Sequence, residues 1–396
     1  MVGLVVGLRS SSTSAGASVA FVIDKYPPFI GGAEHQAELL ARLLSARLER
    51  CDVFTAQADA TSDTPAVAIR RLGTSRPWPG RHAVNFVLAF RSLLVHARRY
   101  SIVHGHALSG LTCGAVLGAR LRGRPTLIKV CSTGPDGDVA KLTRPAGGRW
   151  LWPILRRSSA FVVPSPGMVA ELVAGGVGLE AIAVIPNALA PDRERSASRS
   201  KSGARADLGL PEAATVLFVG RLSPEKGLDR LMRVWDRVAP VCDARLVIVG
   251  DGPEAQHLAA WANRSASAGR IHLAGARRDV DRFYRAADVV VVPSRTETFG
   301  NVIAEAMAHG LAVVTTPVGL ASHVMRHEDN GLVVSPTDDD AMASAVVRLV
   351  RDAALRERLG RAARRAALAC FASDSVVERY VNLYRRLTGR AAVAAA

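Results

Sequence analysis

Short apolar runs alternate with amphipathic stretches along most of the chain. Runs rich in Val and Leu are typical of buried parallel strands. In the first half we predict strands at 18–23, 52–55, 67–70, 102–104, 126–130 and 160–163, with helical stretches such as 33–48 and 85–99 between them. Strands that alternate with helices indicate a parallel sheet covered by helices on both faces.

The same pattern starts again after a polar interruption. Residues 191–206 are crowded with Arg, Ser and Lys and lack apolar periodicity, so we interpret them as a linker. Further strands are predicted at 215–219, 245–249, 270–273, 288–292, 312–315 and 332–334. The predicted fold class is therefore α/β, with two Rossmann-like, doubly wound domains at 18–190 and 191–372 that face each other across a cleft.

Composition bears on the cellular setting more than on the fold. The five cysteines are odd in number and never at C-x-x-C spacing, which favours a reduced, cytoplasmic setting. No apolar run reaches the roughly 18 residues that a membrane span needs. We interpret residues 1–17, apolar and then rich in serine, as a disordered leader or a misplaced start in preference to a signal peptide.

Charge suggests a partner for the first half. The chain has 51 Lys and Arg against 35 Asp and Glu, and residues 1–190 hold 21 basic and 11 acidic residues. Such a surface attracts anionic lipid, an anionic acceptor or nucleic acid, although solvated surface arginines explain the excess equally well. No RNA-binding aromatic signature or zinc-finger spacing occurs, so we expect no nucleic-acid partner but keep peripheral contact with an anionic membrane open.

Ligands of open α/β sheets bind beyond the carboxyl ends of the strands, and two turns of the second half fit a phosphate there. Arg221 and Lys226 follow Gly220 and precede a predicted helix. Two cations at a helix start suit a diphosphate, although an exposed basic loop is the alternative. In the next turn Gly250 and Gly252 let the backbone approach a ligand, but a plain glycine turn explains them as well.

A third turn is the most specific. After the predicted strand 288–292, Glu297 lies in a loop, Gly300 and Asn301 open a helix, and Glu305 lies about one turn into it. Both carboxylates can therefore face one ligand at different depths. A helix start ringed by acids suits a hydroxyl-rich sugar beside a phosphate, and a surface acid in the first turns of a helix is the alternative for Glu305.

The first half contributes a glycine turn and a histidine pair. Gly31 and Gly32 precede a predicted helix, whose amide groups can meet an anion. His104 and His106 end a predicted strand. We expect the two imidazoles to point to opposite faces, His104 into the packed side and His106 toward the cleft, although a lone histidine is more often a core residue.

The loop after the strand 126–130 supplies acceptor-side candidates. Asp136-Gly-Asp138 matches the D-x-D metal motif of another transferase fold, but no third ligand is evident. We therefore expect no metal and interpret Asp138 as part of an acceptor-side loop. Lys129 is the expected partner of a charged group, and Glu34 is a further acceptor-side candidate.

These turns together resemble the donor domain of glycosyltransferase family 4, the retaining transferases with the GT-B fold. Its E-x7-E motif is matched by Glu297 and Glu305, and its G-R-L-x-x-x-K-G signature by Gly220-Arg221-Leu222 and Lys226-Gly227. The resemblance covers residues 18 to about 387. One position departs from the family pattern, because the Asp that precedes the H-x-H residues is Ser101 here.

The resemblance implies a role for each candidate. On the donor side, Arg221 and Lys226 would bind the diphosphate. Glu305 would bind the ribose. Glu297 would bind the sugar, together with the backbone of Phe299, Gly300 and Asn301. It also implies that Gly31 and Gly32 lie beside the donor phosphates and that His106 lies at the reaction centre. Residues 373–388 would cross back to pack on the first domain.

The sequence therefore predicts an enzyme that moves a sugar from a UDP-, GDP- or dTDP-sugar to an acceptor hydroxyl, with no cofactor and no metal. The resemblance implies retention of the anomeric configuration. A GT-B sugar-nucleotide epimerase, which needs no acceptor, and a non-catalytic sugar- or nucleotide-binding protein stay open as alternatives. A nucleotide-dependent dehydrogenase lacks support, because no G-x-G-x-x-G follows a strand with an acid about 20 residues on.

Overall fold

Strands and helices alternate through two parallel sheets in the computed structural model, which describes residues 15–26, 31–56, 67–73, 80–134, 137–143, 150–195 and 201–389. Within these residues the first half of the chain builds a seven-stranded sheet and the second half a six-stranded sheet. Helices lie between most successive strands of the described residues. The predicted α/β fold with two doubly wound domains is therefore confirmed.

The first sheet contains the strands β1 (Ala15–Ile23), β2 (Leu48–Thr55), β3 (Ala68–Arg71), β4 (Ile102–His106), β5 (Thr126–Lys129), β6 (Ala160–Val163) and β7 (Ile182–Val184). Their order is β3-β2-β1-β4-β5-β6-β7, and all neighbouring pairs are parallel. The winding direction reverses between β1 and β4. The loops after these two strands therefore flank the crevice in which such sheets bind ligands.

The second sheet contains β8 (Ala214–Val219), β9 (Ala244–Val249), β10 (Ile271–Gly275), β11 (Val289–Val292), β12 (Ala312–Thr315) and β13 (Leu332–Val333). Their order is β10-β9-β8-β11-β12-β13, again parallel throughout. The reversal lies between β8 and β11. The turns that carry Lys226 and Glu297 follow these two strands, so the topology brings them together.

Helices cover the sheets. Those of the first domain are α1 (Gly32–Ser45), α2 (Arg81–His96), α3 (Gly110–Leu121), α4 (Asp138–Thr143), α5 (Trp152–Leu155) and α6 (Val169–Ala174). Those that follow are α7 (Pro191–Arg195), α8 (Lys201–Asp207), α9 (Leu228–Val238), α10 (Ala255–Arg264), α11 (Val280–Ala286), α12 (Asn301–Ala308), α13 (Asp339–Arg351), α14 (Ala353–Phe371) and α15 (Ser373–Leu387). Side-chain caps begin several of them: Asp338, for example, accepts a 2.7 Å hydrogen bond from the amide of Ala341.

Helix α15 belongs to the core of the first domain, although it is last in the chain. Its residues Val376, Val377, Tyr380 and Tyr384 are buried in one cluster with side chains of β1 and α1. Burial of large apolar and aromatic side chains stabilises this return, by about 25 cal/mol per Å² of apolar surface removed from water. The helix occupies the place that the family resemblance implies for residues 373–388.

The structure changes three details of the sequence-based prediction. The stretch 191–206 includes two helices, and Arg205 of α8 is buried in an ion pair with Asp288, so these polar residues bind the second domain instead of forming a loose linker. Strand β7 was not predicted, because its three residues lie at the sheet edge and none is buried. Residues 15–17 belong to β1, and the rest of the predicted leader lies outside the described residues.

Candidate active site

The loops after β8 and β11 bring Lys226 and Glu297 into direct contact. Lys226 Nζ donates a 2.8 Å hydrogen bond to Glu297 Oε1, and Ser294 Oγ donates to the same oxygen at 2.9 Å. Strand β11 consists of four buried valines, so the loop starts from a rigid element at the centre of the sheet. The lysine of one family signature and the first glutamate of the other thus form one ion pair.

Glycines allow the neighbouring loops to pack this closely. A Cβ atom at Gly227 would lie 2.2 Å from the carbonyl oxygen of Pro293, and one at Gly250 would lie 1.8 Å from that of Gly220. A side chain at either position would push the loops apart. Contact between two loops is enough to require a glycine at position 250, and ligand approach at this turn stays a prediction.

The start of α12 lies beside this ion pair. Phe299 is buried and packs edge-to-face on Phe371, with 5.3 Å between ring centroids, which anchors the turn before Asn301. The first amide groups of a helix lack intrahelical partners and carry the positive end of its dipole. Arg221 is exposed at the same edge of the sheet and forms no ion pair with any described residue.

Glu305, the second glutamate of the motif, has partners on both of its carboxylate oxygens. Arg193 Nη1 lies 2.5 Å from Oε1, and Tyr284 OH donates a 2.9 Å hydrogen bond to Oε2. Burial opposes the charge of Arg193, but the carboxylates of Glu305 and Asp281 raise its pKa on balance. Sequence reasoning missed Arg193 because it lies in the polar stretch interpreted as a linker.

Across the cleft, α1 of the first domain faces α12. Asn301 Nδ2 donates a long, 3.5 Å hydrogen bond to the carbonyl oxygen of Gly32, so the predicted glycine turn touches the predicted donor helix. The Glu34 side chain folds back on this turn. Its Oε2 lies 2.2 Å from the position that a Cβ atom at Gly31 would occupy. Glu34 is therefore placed at the glycine turn, next to the domain boundary.

The prediction that His104 and His106 face opposite sides of β4 was wrong. Both imidazoles pack on the ring of Phe21, at 4.5 and 5.4 Å between centroids, and lie 6.1 Å from each other. Residues two apart in a strand share a face, because side chains alternate with a period of two. What distinguishes the histidines is their depth along β4, since His106 is the last residue of the strand and lies nearer the cleft.

The surroundings of the two histidines differ in hydrogen bonding. His104 Nδ1 shares a 2.7 Å hydrogen bond with Tyr384 OH of α15. His106 is buried, and neither ring nitrogen makes a hydrogen bond of ordinary geometry within the described residues, although an interaction with the backbone of Ala33 partly offsets the fall in its pKa. Burial, and then the charge of Lys129, lowers the pKa of both imidazoles well below the ordinary value, so both are neutral at pH 7. Buried, unsatisfied polar groups are costly and mark functional positions in many proteins.

Lys129 belongs to a polar bridge between the domains. Its Nζ donates a 2.7 Å hydrogen bond to Asn187 Oδ1, and Asn187 Nδ2 donates a 2.8 Å bond to Asn301 Oδ1. Burial lowers the pKa of Lys129 to about 8. Within the described residues the partner of Lys129 is the amide of Asn187, and its expected role toward a charged group on the acceptor side stays a prediction. Asn187, which sequence reasoning also missed, lies three residues after β7, and because that strand was not predicted, no signal in the sequence pointed to this asparagine.

Asp138 stabilises its own loop. Its carboxylate accepts hydrogen bonds from the backbone amide of Cys131 at 2.7 Å and from Ser132 Oγ at 2.8 Å. Each oxygen thus has a partner within the loop, and the acceptor-side role of Asp138 stays a prediction. Asp136, the other acid of the D-x-D sequence, lies outside the described residues. No group of three or more His, Cys, Asp or Glu residues in the described ranges is arranged to hold a metal ion.

The two sheets, the central cleft and the Lys226–Glu297 pair define a two-domain GT-B protein. Two family models match the chain: "Glycosyl transferase 4-like domain" over residues 31–188 and "Glycosyl transferases group 1" over residues 213–352. The D-inositol 3-phosphate glycosyltransferase of Acidothermus cellulolyticus is 31% identical over 391 residues, which cover 90% of this chain and 85% of that relative. The chain therefore belongs to the family 4 glycosyltransferases with the GT-B fold.

Other relatives match over shorter segments. The lipopolysaccharide core biosynthesis glycosyltransferase LpsE of Rhizobium meliloti is 32% identical over 58% of this chain and 64% of its own length. The uncharacterized glycosyltransferase MJ1607 of Methanocaldococcus jannaschii is 33% identical over 43% of this chain and 44% of its own length. Among solved structures, Anabaena HepE in complex with UDP and glucose has a TM-score of 0.78 at 20% identity, over 93% of this chain and 99% of that one. This last likeness supports the fold.

Proposed function

We propose that this chain transfers a sugar from a nucleoside diphosphate sugar, bound against the second domain, to a hydroxyl group of an acceptor bound against the first. The observation that carries this proposal is the meeting of three elements at the cleft: the Lys226–Glu297 pair, the start of α12 and the Gly31–Gly32 turn. Cations and helix amides stabilise the charge that develops on a leaving diphosphate. The carboxylate of Glu297 accepts hydrogen bonds from sugar hydroxyls.

The proposed reaction proceeds with retention of the anomeric configuration and without a metal ion. Retention is supported by membership of the family. Metal independence is supported by Lys226, Arg221 and the α12 amides, which supply positive charge at the site. The epimerase and the non-catalytic binding protein are not favoured, because the relatives above are named glycosyltransferases.

A panel of nucleotide sugars tests this proposal. We expect one UDP-, GDP- or dTDP-sugar to yield free nucleoside diphosphate in the presence of a hydroxyl acceptor, at a rate that chelator leaves largely unchanged. Released nucleotide is measured by a coupled assay, and the product anomer by NMR. Turnover that is lost on chelation and restored by magnesium or manganese would contradict metal independence. Epimerised donor without acceptor consumption would support the epimerase instead.

The proposed location is the cytoplasmic face of an anionic membrane. No helix in the ranges that the structure covers is long and apolar enough to cross a bilayer. Helix α2, however, exposes one apolar and basic face made of Val84, Val87, Leu88, Arg91 and Val95. These positions recur at helical spacing, opposite the buried Asn85, Ala89 and Leu93. Apolar side chains beside arginine suit the interface of an anionic bilayer.

Vesicle binding checks this surface. We expect the protein to bind vesicles increasingly as anionic lipid is added, and to be released by salt, because the attraction is screened over about 10 Å at 0.1 M. Val87→Asp should weaken binding several-fold in co-sedimentation. Val241→Asp is the matched control, because Val241 is exposed to the same extent, 51% against 50%, but lies in the second domain. Equal binding to neutral and anionic vesicles would contradict the proposal.

A further inference from the structure

The loops that carry Lys226 and Glu297 are joined by a further side chain, that of Arg295. Its Nη1 donates a 2.7 Å hydrogen bond to the carbonyl oxygen of Pro224, and its Nη2 donates one of 2.7 Å to Asp229 Oδ2. Its backbone amide donates a third bond, of 2.8 Å, to the carbonyl oxygen of the residue after Pro224. Arg295 therefore holds the two loops together at three points.

The three partners of Arg295 lie on both sides of Lys226 in the chain. Two of them directly precede Lys226, and the third, Asp229, follows it by three residues. Arg295 itself lies two residues before Glu297. A guanidinium is a planar fork whose N–H groups have fixed directions. The spacing of the two loops at the ion pair therefore depends on this one side chain.

The turn that carries Lys226 needs support from its neighbours. Residues Pro224–Lys226 form a single 3-10 turn, which ends at Gly227 with a positive φ of 69°. Helical turns of this kind are short and have poorer hydrogen-bond geometry than an α-helix. Contacts with neighbouring elements therefore fix the position from which the lysine side chain extends.

Asp229 is a charged and firmly placed partner for Arg295. Burial opposes its ionisation, but hydrogen bonds from Arg295 and Arg233 lower the pKa of Asp229 to about 2. Arg233 Nη1 lies 3.0 Å from the same carboxylate oxygen, Oδ2. Asp229 belongs to the first turn of α9, beside the buried Leu228 and Leu231. One end of the Arg295 contact thus rests on a helix that is packed into the core of the second domain.

We propose that Arg295 is a positioning residue for sugar transfer, which holds the Lys226 ammonium and the Glu297 carboxylate at the spacing that the reaction needs. The inference rests on the proposed function, in which Lys226 stabilises the leaving diphosphate. Displacement of a reacting group by about 1 Å can cost about 100-fold in rate. The backbone bond at position 295 survives substitution, so loss of the side chain should cost less, about tenfold.

A double-mutant cycle in the full-length protein tests whether Arg295 acts through Lys226. The donor is the UDP-, GDP- or dTDP-sugar of the panel above that is turned over, and kcat is measured at saturating donor. We expect Arg295→Ala to lower kcat about tenfold in the wild type but less than about threefold in Lys226→Met, because the positioned group is then missing. An equal loss in both backgrounds, or no loss in the wild type, overturns the inference alone.

Stability and a conservative variant give two further measurements. Arg295 is 50% exposed, and exposed ion pairs contribute little to stability, so Arg295→Ala should keep a Tm close to that of wild type. Arg295→Lys keeps the charge but loses the planar fork, so it should recover only part of the lost rate. Full recovery by lysine would show that charge alone suffices and would overturn the positioning role.

Arg237→Ala is the matched control. Arg237 is 44% exposed and also bonds one carboxylate and one backbone carbonyl, those of Asp340 at 2.6 Å and Arg233 at 2.8 Å. It lies in the last turn of α9, at the end away from Lys226, so its loss should leave kcat unchanged. A loss of kcat equal to that of Arg295→Ala would overturn the inference. Failure of the wild type to release nucleoside diphosphate from any sugar of the panel overturns the proposed function, and the inference with it.

Discussion

Replacement of Lys226 by methionine is expected to lower kcat for sugar transfer by about 100-fold or more. The leaving diphosphate gains negative charge as the glycosidic bond breaks, and loss of one preorganised donor at such a charge costs on this order. The variant also removes the 2.8 Å hydrogen bond that holds Glu297. Single-turnover rates at saturating donor measure this effect separately from binding. Binding of the nucleoside monophosphate should change much less than the rate.

Lys201→Met is the control for Lys226→Met. Lys201 also pairs with an acid of the second domain, since its Nζ lies 2.7 Å from Asp288 Oδ1. Asp288 immediately precedes β11, however, and so lies at the edge of the sheet opposite the cleft. We expect Lys201→Met to transfer sugar at close to the wild-type rate. A less than threefold difference between the Lys226 variant and wild type would contradict the proposed role of Lys226.

Strand positions in the second sheet could be predicted to within one or two residues. Central strands such as Ala214–Val219 and Val289–Val292 are buried on both faces, so their sequences are unbroken apolar runs. Such runs can be recognised as strands without knowledge of the tertiary structure. Strand Ile182–Val184 could not be found in this way. It lies at the edge of the first sheet and is only partly covered, so its burial leaves little trace in the sequence.

Sequence reasoning found candidate residues where one turn carried a motif, and it missed contacts whose two partners lie far apart in the chain. Glu297 and Lys226 each belong to a motif whose spacing within one strand-to-helix turn is visible in the sequence. The pairing of Glu305 with Arg193 joins residues 112 positions apart, and a polar stretch such as 191–206 reads as solvated until its tertiary contacts are known. The same limit applies to Lys129, whose partner Asn187 is 58 residues away.

The polar bridge between the domains has a consequence for how the cleft works. Lys129, Asn187 and Asn301 connect the end of β5 to the first residue of α12 by two short hydrogen bonds. Movement of one domain relative to the other therefore acts directly on the helix start that is proposed to bind phosphate. Closure of such clefts excludes water and limits hydrolysis of the donor.

The same leucine substitution at His104 and at His106 is expected to separate stability from catalysis. His106→Leu removes only the weak interaction with the backbone of Ala33 and no hydrogen bond of ordinary geometry among the described residues, so Tm should stay close to that of wild type. Transfer should nevertheless fall by about 100-fold, because the imidazole at the end of β4 would no longer bond the sugar or the incoming hydroxyl. Since burial keeps the pKa of His106 far below 6.5, the wild-type rate should show no titration of this group near pH 6.5.

His104→Leu should have the opposite effect. It breaks the 2.7 Å hydrogen bond to Tyr384 and leaves that buried hydroxyl unsatisfied, which costs about 1–3 kcal/mol. A domain of this size then loses several degrees in Tm, while transfer per folded molecule is retained. Both variants bury a side chain of similar shape on the same face of one strand, so general damage to the sheet affects them alike. Full transfer by His106→Leu, or a lost rate with intact Tm in His104→Leu, would show that depth along β4 does not decide which histidine serves the reaction.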